Sequence, residues 1–299
     1  MTFDWFKNNG IFMPMINDTG RNVFYKNAIE QSVRDKVVVD IGTGTGLLSV
    51  LAAKAGARKV FAVEIDQGRA EYARNVFAEV GVDVEVVNAD FLTTDIPADI
   101  YVSETIGSQI FNENIIAISD HARKYGGQFI PGRFEITAVV YENHPIFPLV
   151  QSKSDAFEFQ PDIMIDATFE NLVNSSFQQQ HPLADTLYRA NCIHGLFSML
   201  PRFNDLKLTK LYETDPITVD LNQQVDINNI KLIIPNSVVG VDKQVCVVLF
   251  WLAKFDNLVM NVTDTIWGNP SKIILPRCRK DQDIVTWYDH SIIDWRFSF

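Results

Sequence analysis

Between residues 37 and 129, short apolar runs alternate with stretches of helical spacing. The runs are KVVVDI, KVFAVEI, DVEVVNA and ADIYVSE. Strands separated by helices predict a parallel sheet covered by those helices. Between the first two runs, LLSVLAAKAG reads as a helix that stops at Gly56, a residue suited to the left-handed position beyond a helix end. After FIPGRF the pattern changes. FEITAVVYE, PITVDLN, NIKLIIP, QVCVVLFWLAKF, SKIILP, DIVTWYD and IIDWRFSF are strand-like with turn residues between them, which predicts an antiparallel barrel or sandwich. A boundary near Pro131 follows, dividing the chain into domains over 1–130 and 131–299. Within the second, residues 160–212 carry helix-like spacing, for example Leu183, Leu187, Ala190, Ile193, Phe197 and Leu200. Such an insertion serves either as core packing or as a contact arm for a second subunit.

Composition narrows the function classes. With 299 residues, 47% of them apolar, the chain can bury a large core. The formal charge of -11 and the lack of any dense Lys/Arg run argue against a surface that tracks phosphates, so no nucleic acid partner is expected. An acidic surface suits a cationic substrate. Cys192, Cys246 and Cys278 lack the paired spacing of a zinc site or a disulfide framework and read as reduced thiols, with no metal. The start, MTFDWFKNNGIFMPM, has no basic segment followed by an apolar run, and no later stretch has the character of a membrane span. A cytoplasmic protein without membrane contact is the expectation.

VVVDIGTGTGLLSV places Gly42, Gly44 and Gly46 between a strand and a helix, where the backbone turns tightly and comes close to a ligand. A dinucleotide fingerprint wants Gly or Ala three residues after Gly44, and Leu47 stands there, so a pyrophosphate is disfavoured. Asp40, just before the first glycine, suits instead a ligand carrying an ammonium and a sulfonium, as S-adenosylmethionine does. Glu64 ends the second strand, where acidic residues accept from ribose hydroxyls in nucleotide folds; Asp66 is its competitor. Asp90 and Phe91 end the third, where a carboxylate could accept from an adenine amino group and a ring could stack on the base. Each alone reads equally well as a loop acid or a core ring. Together they converge on the carboxyl edge of one sheet, where open α/β folds bind ligands.

The fourth strand ends in Glu104, and the stretch YVSETIGSQIFNENI holds a second carboxylate, Glu113, and no cation. If a hairpin loop intervenes, the two acids return side by side and repel unless a cation or proton sits between them. A planar guanidinium with five donors fills that place better than an ammonium.

Here the sequence resembles the protein arginine methyltransferases. SETIGSQIFNEN is similar to that family's double-glutamate loop, and GIFMPMINDTGRNVFYKNAIE to its helix that closes over the cofactor. VVVDIGTGTGLLSVLAAKAGARKVFAVE is similar to its cofactor motif, HARKYGGQFIPGRFEI to the passage into its β-barrel, and TDTIWGNPSKIIL to its Thr-His-Trp loop. The resemblance implies a Rossmann-like class I methyltransferase domain with a parallel-rich sheet, followed by a mainly antiparallel β-barrel domain carrying a helical insertion. It implies S-adenosyl-L-methionine as cofactor, S-adenosyl-L-homocysteine as product, and N-methylation of an arginine guanidinium in a protein or peptide. Glu104 and Glu113 would be catalytic, Arg21 would bind the methionine carboxylate, and Asp18, Tyr25, Thr265 and Trp267 would line the substrate pocket. A homodimer is also implied. The chain departs from the pattern at Ile266, where the loop histidine belongs, at Phe12, where the closing helix has a histidine, at residues 2–6, which lack paired tyrosines, and at Ile115 in place of a methionine. Those departures keep open a small guanidine or amine as acceptor, and a cofactor-binding scaffold without turnover.

Overall fold

The computed structural model describes residues 15–106, 110–111, 113–142, 209–238, 245–265, 271–275, 283–289 and 294–298; for 245–246, 264, 271–275, 289 and 294–298 it describes the backbone alone. In chain order the first half runs α1 (Thr19–Ser32), β1 (Val37–Ile41), α2 (Leu47–Lys54), β2 (Lys59–Glu64), α3 (Gln67–Val80), β3 (Glu85–Asn88), β4 (Ile100–Ser103), α4 (Ile115–Arg123) and β5 (Gln128–Ile130). The strands form one parallel sheet in the order β3-β2-β1-β4-β5. Strands β1 and β4 are buried almost throughout, because helices cover both faces of a parallel sheet. The order reverses between β1 and β4, and at such a switch point loops diverge and leave a crevice beyond the carboxyl ends.

Local chemistry sets the boundaries. Asp18 caps α1 by accepting from the Arg21 backbone N–H at 3.0 Å, and Asp66 caps α3 by accepting from the Arg69 N–H at 2.8 Å. Helix α3 stops at Gly81 with φ 72°, and Gly56 follows α2 with φ 89°, the left-handed stop expected of it.

The second half is antiparallel: β6 (Arg133–Glu142), β7 (Lys210–Glu213), β8 (Ile217–Asp220), β9 (Lys231–Ile234), β10 (Val245–Phe255), β11 (Leu258–Asn261), β12 (Ser271–Leu275), β13 (Ile284–Asp289) and β14 (Asp294–Ser298). Six strands form one sheet along β11-β10-β6-β7, with β12 also on β10 and β8 also on β6, and three form β14-β13-β9. The seven strand-like runs read from the sequence are β6, β8, β9, β10, β12, β13 and β14. Two short strands were not among them. Strand β7 occupies the end of the expected helical insertion and pairs with β6, so residues 210–212 are strand and the helical reading is corrected there. Residues 160–208, the rest of that insertion, lie outside the described residues. Strand β11 returns from β10 through Asp256 and Asn257, with Asp256 at φ 48°, the tight-turn geometry that short polar residues tolerate.

Between the sheets, Ile130 ends β5 and Arg133 begins β6. The Phe129 N–H donates to Asn222 Oδ1 at 2.7 Å and the Leu221 N–H to the Gly132 carbonyl at 2.8 Å, pinning the crossing to the antiparallel half. One continuous apolar core runs from Phe24 and Ile29 on α1 through Ile100 and Phe111 to Phe134, Trp251 and Tyr288.

Candidate active site

The glycine loop leaves β1 with Gly42, Gly44 and Gly46 all at positive φ, at 71°, 53° and 84°. At Gly46 a Cβ would also lie 2.6 Å from the Phe77 ring of α3, so the residue must be glycine on two counts. Asp40 is buried beneath the loop, where its Oδ2 accepts from the Thr43 hydroxyl at 2.7 Å and the Ser49 hydroxyl at 2.6 Å. Burial raises its pKa, and those two hydrogen bonds oppose the rise. The carboxylate thus ties the loop to the start of α2.

Glu64, at the end of β2, is also buried and reaches the loop. Its Oε2 accepts from the Gly44 N–H at 3.0 Å, and its Oε1 from the Asp66 N–H at 3.0 Å and from Arg69 Nε at 3.2 Å. Asp66 caps α3, whereas Glu64 is bonded to the glycine loop itself. Asp90 is exposed and caps a short 3₁₀ turn by accepting from the Leu92 N–H at 3.0 Å. Phe91 is buried, edge-on to Tyr101 at 6.0 Å and His121 at 5.0 Å. Its ring packs in the apolar core at the carboxyl end of the sheet.

Beyond β4, α1 and the loop after β4 meet. Arg21 Nε lies 3.1 Å from Glu104 Oε1, with both side chains less than a tenth exposed. The Nε–H does not point at that oxygen and finds no acceptor among the described residues, while Nη1 donates to the Met15 carbonyl at 2.9 Å. A buried, unsatisfied guanidinium N–H is unfavourable, and a bound carboxylate would relieve it. Burial pushes the Glu104 pKa up to about 8; Arg21 opposes the rise, and the charges of Glu113, Asp18 and Asp40 add to it. Glu113 is exposed; partial desolvation raises its pKa and Arg21 opposes this. The two glutamates and one arginine therefore share a single electrostatic neighbourhood. Between the glutamates, Ile110 is buried at φ 69°, a backbone that a β-branched residue adopts only when its surroundings hold it there.

A methyltransferase domain family matches residues 38–122. Among curated proteins, the chain is 31% identical over 153 residues to protein arginine N-methyltransferase 8-B of Danio rerio, covering 47% of this chain and 36% of that one. It is 38% identical over 125 residues to protein arginine N-methyltransferase 1 of Caenorhabditis elegans, covering 38% of this chain and 36% of that one. Among solved structures, the Trypanosoma brucei PRMT1 enzyme–prozyme heterotetrameric complex with AdoHcy matches with a TM-score of 0.59 at 20% identity, over 95% of this chain and 88% of that one. The structure of PRMT6 with SAH matches with a TM-score of 0.56 at 15% identity, over 96% and 98%. Residues 38–122 thus match a methyltransferase domain, and over part of its length the chain is similar to protein arginine N-methyltransferases. Its matches span about a third to a half of the length of these curated relatives.

Of the residues assigned by likeness to the protein arginine N-methyltransferases, Arg21 and Glu104 are in contact and Asp18 caps the helix that carries Arg21. Tyr25 is fully buried, with its hydroxyl donating to the Ser103 carbonyl at 2.9 Å. Thr265 is buried and donates to the Val262 carbonyl at 2.8 Å. Trp267 and Ile266 lie outside the described residues. Sequence reasoning passed over Thr43, Ser49 and Arg69. Their small or charged side chains close to Asp40 and Glu64 were the available signal.

Proposed function

We propose that the chain is an S-adenosylmethionine-dependent N-methyltransferase whose acceptor is an arginine guanidinium in a protein or peptide. The observation that carries this reading is that Glu104, at the sheet edge and within the field of Glu113, already lies against a guanidinium, that of Arg21. Gly42, Gly44 and Gly46 would let the backbone approach the cofactor, Glu64 would accept from its ribose, and the unsatisfied Arg21 Nε–H suits its carboxylate. When bound, S-adenosylmethionine supplies an electrophilic methyl group on a sulfonium. Asp40, whose Oδ2 accepts from Thr43 and Ser49, acts through the loop.

Glu104 and Glu113 hold the acceptor guanidinium and draw its charge toward two of its nitrogens, leaving the third richer in electrons. The bound cofactor would supply the methyl group and take the leaving electron pair on its sulfur, while Glu104 and Glu113 would aim the third nitrogen at it and the nitrogen would give up a proton. A free guanidinium holds its proton with a pKa above about 12, so the proton leaves only as the new bond forms. Glu104 is the acceptor for it, since a carboxyl with its pKa lifted to about 8 is matched to neutral pH. Holding two reactants in line can itself contribute roughly 7–11 kcal/mol.

Glu104→Gln and Glu113→Gln should each lower turnover by about 10²-fold or more while S-adenosylhomocysteine binding persists. Near-normal turnover in either variant removes the mechanism. Running the assay with arginine-rich peptides and with free arginine separates a protein acceptor from a small guanidine, and absence of S-adenosylhomocysteine release with any acceptor favours a scaffold. We extend the reading to a cytoplasmic homodimer. The Trypanosoma relative is a heterotetrameric complex, and light scattering on the purified chain tests for assembly. Among the described residues no helix is long and apolar enough to cross a membrane.

A further inference from the structure

Helix α1 buries Arg21, Phe24, Tyr25, Ala28 and Ile29, a single face at helical spacing. Two of these residues converge on the point where β4 leaves the sheet. Val102 pairs with Ile130 as the last register partner between β4 and β5, and Ser103 pairs with Ile41 of β1. Past that point the chain turns out toward Glu104, and here the Tyr25 hydroxyl donates to the Ser103 carbonyl at 2.9 Å. Both Tyr25 and Ser103 are fully buried. The Ser103 hydroxyl is 2.9 Å from that of Thr105, so the residues on either side of Glu104 are also linked to each other. One turn before Tyr25, Arg21 meets the Glu104 carboxylate itself.

Resting on the methyltransferase reading above, we infer that Tyr25 is a positioning residue for Glu104: by fixing the Ser103 carbonyl it sets the direction in which the next residue leaves the sheet. Docking of α1 and the aim of Glu104 are then one event, because the same helix face grips the backbone before the glutamate and the carboxylate after it. The effect is on geometry, without contact between the phenol and the acceptor. A buried O–H donor has few alternative partners, so the hydrogen bond is kept wherever α1 is docked.

Strand β4 carries its own control. Tyr101 is equally buried, and its hydroxyl donates to the Ile96 carbonyl at 2.9 Å and accepts from the Ala98 N–H at 3.0 Å, at the entry to β4 and away from Glu104. Tyr25→Phe and Tyr101→Phe each delete one buried phenol hydroxyl, at opposite ends of one strand. Both should lower the melting temperature of the full chain. Only Tyr25→Phe should lower turnover with an arginine-rich peptide, by about tenfold or more, as small misplacements of a reacting group do. Its S-adenosylhomocysteine dissociation constant should stay at the wild-type value. Only Tyr25→Phe should also move the Glu104 carboxyl titration, followed by ¹³C NMR in the ligand-free protein, toward the ordinary carboxylate range. 4-Aminophenylalanine at position 25, which keeps a donor in place, should restore turnover.

Equal loss of turnover in the two variants, or wild-type turnover and Glu104 titration in Tyr25→Phe, overturns the inference. So does failure of 4-aminophenylalanine to rescue. If the wild-type chain methylates no acceptor, the proposed function falls, and the Glu104 titration in the two variants still decides the role of Tyr25.

Discussion

Glu104 concentrates the opposing forces of the site. Burial disfavours its charge, Arg21 favours it, and three further acids disfavour it again. With its pKa in the folded chain raised from 4.5 to about 8, its contribution to stability is full below the lower value and is lost as pH rises through the upper one. The loss amounts to at most about 1.4 kcal/mol per pH unit within that window. Urea unfolding of the ligand-free chain across this range should show stability falling as pH rises, and Glu104→Gln should flatten the slope. Some slope will persist, because Asp40 and Glu113 are shifted in the same direction. Acceptor binding should run the other way. A guanidinium needs the ionised carboxylate, so peptide affinity should rise with pH up to about 8 and then level off, readable by calorimetry in the presence of S-adenosylhomocysteine. The positions of both glutamates could be read from the chain. The contact of Glu104 with Arg21 could not, since no spacing rule links the two across four strands.

The glycine loop shows how a local motif depends on its neighbours. Gly46 starts α2 at φ 84° under the Phe77 ring. Gly46→Ala should cost about 2 kcal/mol or more, combining the left-handed penalty with overpacking against the ring. Thermal unfolding measures that loss, and S-adenosylhomocysteine affinity should fall with it because the loop must shift. Paired with Phe77→Ala, the substitution should lose part of its cost, since the clash term disappears and the backbone term remains. The strand and helix periods made most elements legible, and Gly56 was placed correctly by its chemistry alone. Strands β7 and β11 escaped for different reasons. The first is short and follows a segment of helical spacing, so its pairing with β6 decides it; the second is the return arm of an Asp-Asn hairpin, and that turn signal was present in the sequence.

The two halves are joined through the loop that carries the candidate chemistry. Phe111, between the glutamates, is fully buried, edge-on to Phe134 of β6 at 5.8 Å and to Tyr288 of β13 at 5.1 Å. The Tyr288 hydroxyl also donates to its carbonyl at 3.3 Å. The antiparallel half is thus a floor for the double-glutamate loop. Phe111→Ala should destabilise the chain by about 3–5 kcal/mol, as large cavities at buried aromatic positions do. The loss should be read equally by far-UV circular dichroism and by tryptophan fluorescence, whose described reporters Trp251 and Trp287 lie in the antiparallel half. Turnover should fall further than folded fraction, because the loop loses its support.

Alternation of apolar runs, a glycine loop and two isolated carboxylates were enough to predict a parallel sheet, a ligand edge and a second, antiparallel half. These are properties of neighbours along the chain, set by the strand and helix repeats and by backbone sterics at glycine. Partners were decided only by folding: Asp40 with Ser49, Glu64 with Gly44, Arg21 with Glu104, and Tyr25 with the Ser103 carbonyl. A side chain's charge state and direction depend on which surfaces exclude water from it, and those surfaces come from elements far apart in sequence.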